Sequence, residues 1–187
     1  RGQLVSDAAL STLKIDSNVQ NGRLRLASAL VASGQGQQAS QILLQELRDD
    51  PGNVQALLLH ADVLAESGRT NEALIKLHRV LELEPANVDA HILAGTFAIE
   101  DKRWEESFIA WGLVRRLQPS HPTACLYLAQ TLLAMGRGTS AKPLLQEYVD
   151  RMDKNATAQE KILIAELLLS ADEPTLATSL LEPLRES

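Results

Sequence analysis

The sequence predicts an all-α fold, an α-solenoid built from antiparallel helix pairs, on three observations. Pro51, Pro85 and Pro119 stand 34 residues apart. A fixed period of that length marks stacked units that each bury one face against the next. Between the prolines, apolar residues recur at helical spacing on both sides of a short break; in 54–87 the break at 67–70 carries Gly68 and Pro85 closes the unit. The chain is 45% apolar but only 3% aromatic. Small and aliphatic side chains must therefore do most of the packing, which suits closely approaching helices better than an aromatic-rich sheet.

At 187 residues the chain has room for about five such units. It divides as one solenoid domain, 1–187, with a partial repeat or cap at 1–19. Repeats follow at 20–53, 54–87, 88–121 and 122–155, and an irregular C-terminal repeat at 156–187. In the first segment Val5, Ala9 and Leu13 share a helical face. They form either the second helix of a repeat whose first helix is absent or an irregular helical cap. In 20–53, Leu24, Ala27, Leu30 and Val31 line the first helix, the turn follows at 34–36, and Ala39, Leu43 and Leu47 line the second. The stop at 49–53 leaves Asn53 to cap the next helix.

In 54–87, Ala61 and Leu64 face Ala73, Leu77, Val80 and Leu81, and alanines at the close contacts let the helices approach. Glu72 and Lys76, four apart, are expected to add minor surface support. In 88–121, Gly95 takes the place of Ala61, the turn near 100–102 lacks a glycine, and Trp104, Phe108 and Trp111 make the second helix the bulkiest in the chain. Trp111 is expected in the core. Trp104, beside the turn, is expected to be partly exposed and to serve an interface. In 122–155, Pro122 suits a first helical turn. Pro143 should make the second helix begin late or bend. Beyond Val149 the period slips by two residues, and Ala165, Leu168, Ala177 and Leu181 outline a fifth pair turning at 171–174.

With that register, the chain resembles the tetratricopeptide repeat family. The family pattern has small residues at the eighth and twentieth positions, large apolar residues at the eleventh and twenty-fourth, and proline at the thirty-second. Here these are Ala61, Ala73, Leu64, Leu77 and Pro85; Ala27, Ala39, Leu30, Leu43 and Pro51; and Gly95, Ser107, Ala98, Trp111 and Pro119. The fourth unit supplies Ala129, Ala141, Leu132 and Leu145 without the proline. The family's aromatic signature is mostly missing, since the fourth position holds Arg23, Leu57, His91, Cys125 and Lys161. The resemblance implies a right-handed superhelix whose first helices line a concave groove that binds an extended peptide or a helix.

The groove so implied is apolar with an acidic component. Its fifth-position residues are Leu24, Leu58, Ile92, Leu126 and Ile162, and the ninth and thirteenth positions add Asp62, Glu66, Thr96, Glu100, Gln130 and Glu166. The apolar members serve either as groove floor or as packing between units. A peptide, helix or protein with apolar anchors and basic flanks would match this surface. The carboxylate clamp of some family members needs basic and amide residues where this chain has Leu24, Ser28, Leu59 and Leu93, so recognition of an acidic C-terminus is disfavoured.

Other chemistries lack their residues. The formal net charge of −6 disfavours nucleic acid as a partner. His60, His78, His91 and His121 occupy four different repeat positions without metal-ligand spacing, and no cofactor motif is present. Cys125 stands alone on an apolar helix, as a packed cysteine does, and no disulfide framework exists. No apolar run reaches spanning length, so no direct membrane insertion is expected of this soluble domain, cytoplasmic or periplasmic. The chain opens on Arg1 without an initiator Met, as a processed protein or an excised fragment would. The expected function is a non-enzymatic scaffold for protein–protein interaction, and the low-aromatic, Ala/Leu/Gln-rich repeats suggest a module of a bacterial-type assembly or envelope protein. The alternatives are a non-catalytic region of a multidomain enzyme such as a transferase, and a scaffold that binds a second copy of itself.

Overall fold

The structure is a computed structural model that describes residues 22–152 and 156–185. The expected helical cap at 1–19 lies outside the described residues. Among them every regular element is an α-helix: α1 Gly22–Ala32, α2 Gly36–Asp49, α3 Val54–Glu66, α4 Thr70–Leu83, α5 Val88–Glu100, α6 Trp104–Leu117, α7 Ala124–Ala134, α8 Gly138–Arg151, α9 Ala158–Ser170 and α10 Pro174–Arg185. The chain forms two compact units, Arg1–Leu93 and Ala94–Ser187.

Two kinds of turn alternate, and each follows from its residues. Inside a pair, the first helix ends in a left-handed residue: Gly34, Gly68 and Gly136 have φ of 74°, 74° and 72°. The next amide reaches back to close the helix, Gln35 to Leu30, Arg69 to Leu64 and Arg137 to Leu132, each at 2.8 Å. This is the six-to-one bond of a Schellman cap, for which glycine pays no Cβ penalty. Lys102 (φ 57°) and Asp172 (φ 60°) hold the same conformation without being glycine. Their turns close in the same way, Arg103 to Ala98 at 2.7 Å and Glu173 to Leu168 at 2.9 Å. Between pairs, the chain turns at Pro51 and Pro85, and the Asn53 and Asn87 side chains accept from the amides of Ala56 (3.1 Å) and Ala90 (2.9 Å).

In the first unit α1 packs on α2, α2 on α3, α3 on α4, and α1 also on α3. Contact between alternate helices is what stacked helix pairs produce. Leu24, Ala27, Leu30, Ala39, Leu43, Ala56 and Val63 form one buried cluster. Each large aliphatic side chain sealed this way contributes about 1.5–3 kcal/mol, and Ala27 and Ala39, wholly buried, keep the backbones close.

In the second unit α6 packs on α7, α7 on α8, α8 on α9, α9 on α10, and α7 on α9. Trp111, 1% exposed, stacks on Tyr127 with ring centroids 4.5 Å apart. A Cβ on Gly95 would lie 2.6 Å from Trp111 Nε1. The glycine is therefore the counterpart of the tryptophan: this unit pairs Gly with Trp where the first pairs Ala61 with Leu77. Ser107 stands at a small-residue position and is fully buried. Its hydroxyl is met at 2.8 Å by Thr131, whose own proton goes to the Tyr127 carbonyl. Ser107 is therefore the donor in that bond, and both buried hydroxyls are satisfied.

Two expectations meet a different outcome. Helix α7 begins at Ala124, so Pro122 sits in the preceding turn and not in the first helical turn. Of the two effects expected of Pro143, a late start does not occur: helix α8 runs from Gly138 through Pro143. Glu72 is held chiefly by Arg69, in a two-pronged bond at 2.7 and 2.6 Å, since its guanidinium fork at the turn matches the carboxylate, and Lys76 adds minor favourable charge.

Candidate partner-binding groove

In the first unit, the exposed sides of α1 and α3 and the start of α5 enclose an open hollow of about 370 Å³. Leu24, Leu58, Leu59 and Leu93 give it an apolar surface, and Ser28, Gln55, Asp62 and Asp89 are its polar lining. Leu24, Leu58 and Asp62 are residues expected in the groove. Leu24 is largely buried and also belongs to the core cluster, while Leu58 and Asp62 are half-buried. Glu66, one turn beyond Asp62, is exposed. Burial, and secondly the charge of Glu66, raise the Asp62 carboxyl above its ordinary pKa. Ile92 is half-buried on α5.

In the second unit Thr96 and Gln130 are half-buried and Glu100 is exposed. Leu126 is buried, whereas Ile162 (48% exposed) and Glu166 face solvent. Trp104 is half-buried at the first position of α6. One turn on, Phe108 carries the Arg137 guanidinium 5.8 Å from its ring centroid.

Leu59 and Leu93 line the hollow but were not among the expected groove residues. Leu59 and Leu93 each follow an expected residue, Leu58 and Ile92, by one position, and neighbouring positions on a helix diverge by about 100°. Which of two adjacent apolar residues meets the groove depends on how successive pairs stack, and periodicity alone does not specify that.

His60, His91 and Cys125 have structural surroundings. His60 is buried with Nε2 2.9 Å from the Ser40 hydroxyl, and burial, reinforced by Lys76 and Arg69, lowers its pKa to about 4. His91 donates to the Pro85 carbonyl at 3.0 Å. Cys125 is buried, and its thiol is pushed up by burial and by Glu147, which keeps it protonated and unreactive. Among the described residues no group of three or more His, Cys, Asp or Glu could hold a metal ion, and no helix is long and apolar enough to cross a membrane.

Solved structures resemble the chain closely in backbone. The pilF protein of Pseudomonas aeruginosa superposes with a TM-score of 0.80 at 18% identity, over 99% of this chain and 83% of that one. MamA from Desulfovibrio magneticus RS-1, residues 41 to the end, gives 0.77 at 16% identity over 88% and 92%. A tetratricopeptide repeat protein from Parabacteroides merdae gives 0.72 at 16% identity over 99% and 72%. At these identities the likeness is one of fold. No curated protein matches the chain. The family model described as tetratricopeptide repeat matches residues 24–77 and 58–122, more than half of the sequence. The chain belongs to the tetratricopeptide repeat family.

Proposed function

We propose that the protein is a scaffold that binds a peptide, helix or protein partner along the faces of its first helices, without catalysing a reaction. Family members are generally non-catalytic scaffolds for protein–protein interaction. The observation that carries the reading is the first-unit hollow, where Leu58 and Asp62 remain accessible on α3 in place of being sealed into the core. An apolar floor edged by carboxylates favours a partner with apolar anchors and basic flanks. On this reading 1–187 is a single array with the repeat boundaries given above. Ile92 belongs to the same first-unit surface, Thr96, Glu100, Leu126, Gln130, Ile162 and Glu166 offer the corresponding first-helix faces of the second unit, and Trp104 serves as an additional contact there.

The test is affinity capture with the wild-type chain, followed by the same capture with Asp62→Lys, Glu66→Lys and Glu100→Lys combined. The proposal expects the specific partner to be lost from the variant while its helical circular dichroism is kept. Undiminished capture by the charge-reversed chain would show that the acidic groove is not the binding surface.

A further inference from the structure

The hollow in the first unit carries a half-buried acid that no basic side chain among the described residues neutralises, whereas several acids on the faces around it are paired. On the neighbouring faces, Asp49 and Glu46 are held by Arg23, Glu72 by Arg69 and Glu82 by Arg79. Among the described residues no basic side chain forms an ion pair with Asp62 or Asp89, the two carboxylates that border the leucines. Asp62 is half-buried, so part of its hydration is already gone and no protein charge replaces it. A group in that state gains more from an incoming cation than a fully hydrated surface acid does.

The lining also rejects the opposite charge. Leu59 and Leu93 offer no donor to a carboxylate, and any carboxylate entering beside them would meet Asp62 and Asp89. A neutral amide avoids that repulsion but leaves Asp62 without a counter-charge. Discrimination among cationic, neutral and anionic side chains is therefore built into one small site.

We infer that this hollow reads a two-residue feature of a partner polypeptide, an aliphatic side chain seated among Leu24, Leu58, Leu59 and Leu93 and a Lys or Arg beside it on Asp62. The inference rests on the groove reading above and adds the residue that sets specificity. Asp62 is that residue; the leucines supply affinity without selecting charge.

The experiment uses the full chain and three labelled synthetic amphipathic peptides of identical leucine spacing, differing only in one residue beside the central leucine: Lys, Gln or Glu. Fluorescence anisotropy should show the Lys peptide bound about tenfold more tightly than the Gln peptide, with the Glu peptide weakest. In Asp62→Asn the Lys and Gln peptides should come within about twofold of each other. Glu105→Gln, which removes an exposed charge from α6 in the second unit, should leave the tenfold ratio in place. Leu58→Ser should weaken all three peptides alike. A Lys preference that survives Asp62→Asn, or equal binding of all three peptides by the wild-type chain, overturns this inference and leaves the groove reading standing. Displacement of bound peptide by unlabelled copies of the protein would make a second copy the occupant and also overturns it. Failure of all three peptides to bind at about millimolar concentration overturns both.

Discussion

Trp111 and Gly95 form a matched pair. The indole fills space that a Cβ at position 95 would claim, 2.6 Å from Nε1, and its stacking on Tyr127 leaves it little freedom to move aside. Gly95→Ala should therefore destabilise the second unit by about 1–3 kcal/mol, the usual cost of overpacking. In a Trp111→Leu background the same alanine should be nearly neutral, because it restores the Ala-with-Leu combination of the first unit. A double-mutant cycle by urea denaturation should return a coupling of about 1–2 kcal/mol. Additive effects would show that the two residues do not constrain each other. At the left-handed turn, Lys102 bears a conformational cost that Gly34, Gly68 and Gly136 avoid. Lys102→Gly should stabilise by about 0.5–1 kcal/mol, read as a higher urea midpoint at unchanged slope.

His60 couples stability to pH. Its imidazole is held neutral by burial and by the charges of Lys76 and Arg69, lowering its pKa from 6.5 to about 4. Above pH 6.5 both folded and unfolded chains carry it neutral. As pH falls from there toward about 4, the unfolded chain takes the proton first, so stability declines; below that the contribution is flat. The loss approaches roughly 3 kcal/mol. Urea unfolding at about pH 7 and about pH 4.5 should show a smaller difference in His60→Gln than in the wild type. An unchanged difference would contradict the assignment.

At the scale of elements, the helix ends were largely legible in the sequence. Pro51 and Pro85 close units, glycines at 34, 68 and 136 mark the turns within pairs, and Asn53 and Asn87 sit where caps are needed. These are local effects, decided by φ preference and by hydrogen bonds within three or four residues. Asn87→Ala should cost about 1 kcal/mol by leaving the Ala90 amide without its capping acceptor, measured by thermal unfolding. A loss below a few tenths would mean that water replaces the cap freely. Local rules say less where partners compete. Glu72 has Lys76 one turn away as minor support, but the Arg69 fork at the turn makes the two-pronged bond. Pro143 was expected to delay or bend α8; the delay does not occur, because burial of Ala141, Leu144 and Leu145 favours helix from Gly138 onward.

At the scale of the molecule, the period made the helix-pair solenoid legible, because a 34-residue repeat has few other physical solutions. The candidate groove was legible only in part. Leu24, Leu58 and Asp62 share one hollow, while Leu59 and Leu93 enter it through the stacking of one pair on the next, which the period alone does not specify. A second apolar hollow, lined by Leu74, Ile75 and His78 on α4, supplies the natural control surface, with Ile75 66% exposed.

Methyl NMR of the full chain titrated with the Leu/Lys peptide tests the central claim most directly. The account predicts saturable shifts at the methyls of Leu24, Leu58, Leu59 and Leu93, while Leu74 and Ile75 stay fixed. Shifts confined to Leu74 and Ile75, with the four groove leucines unmoved, would contradict it.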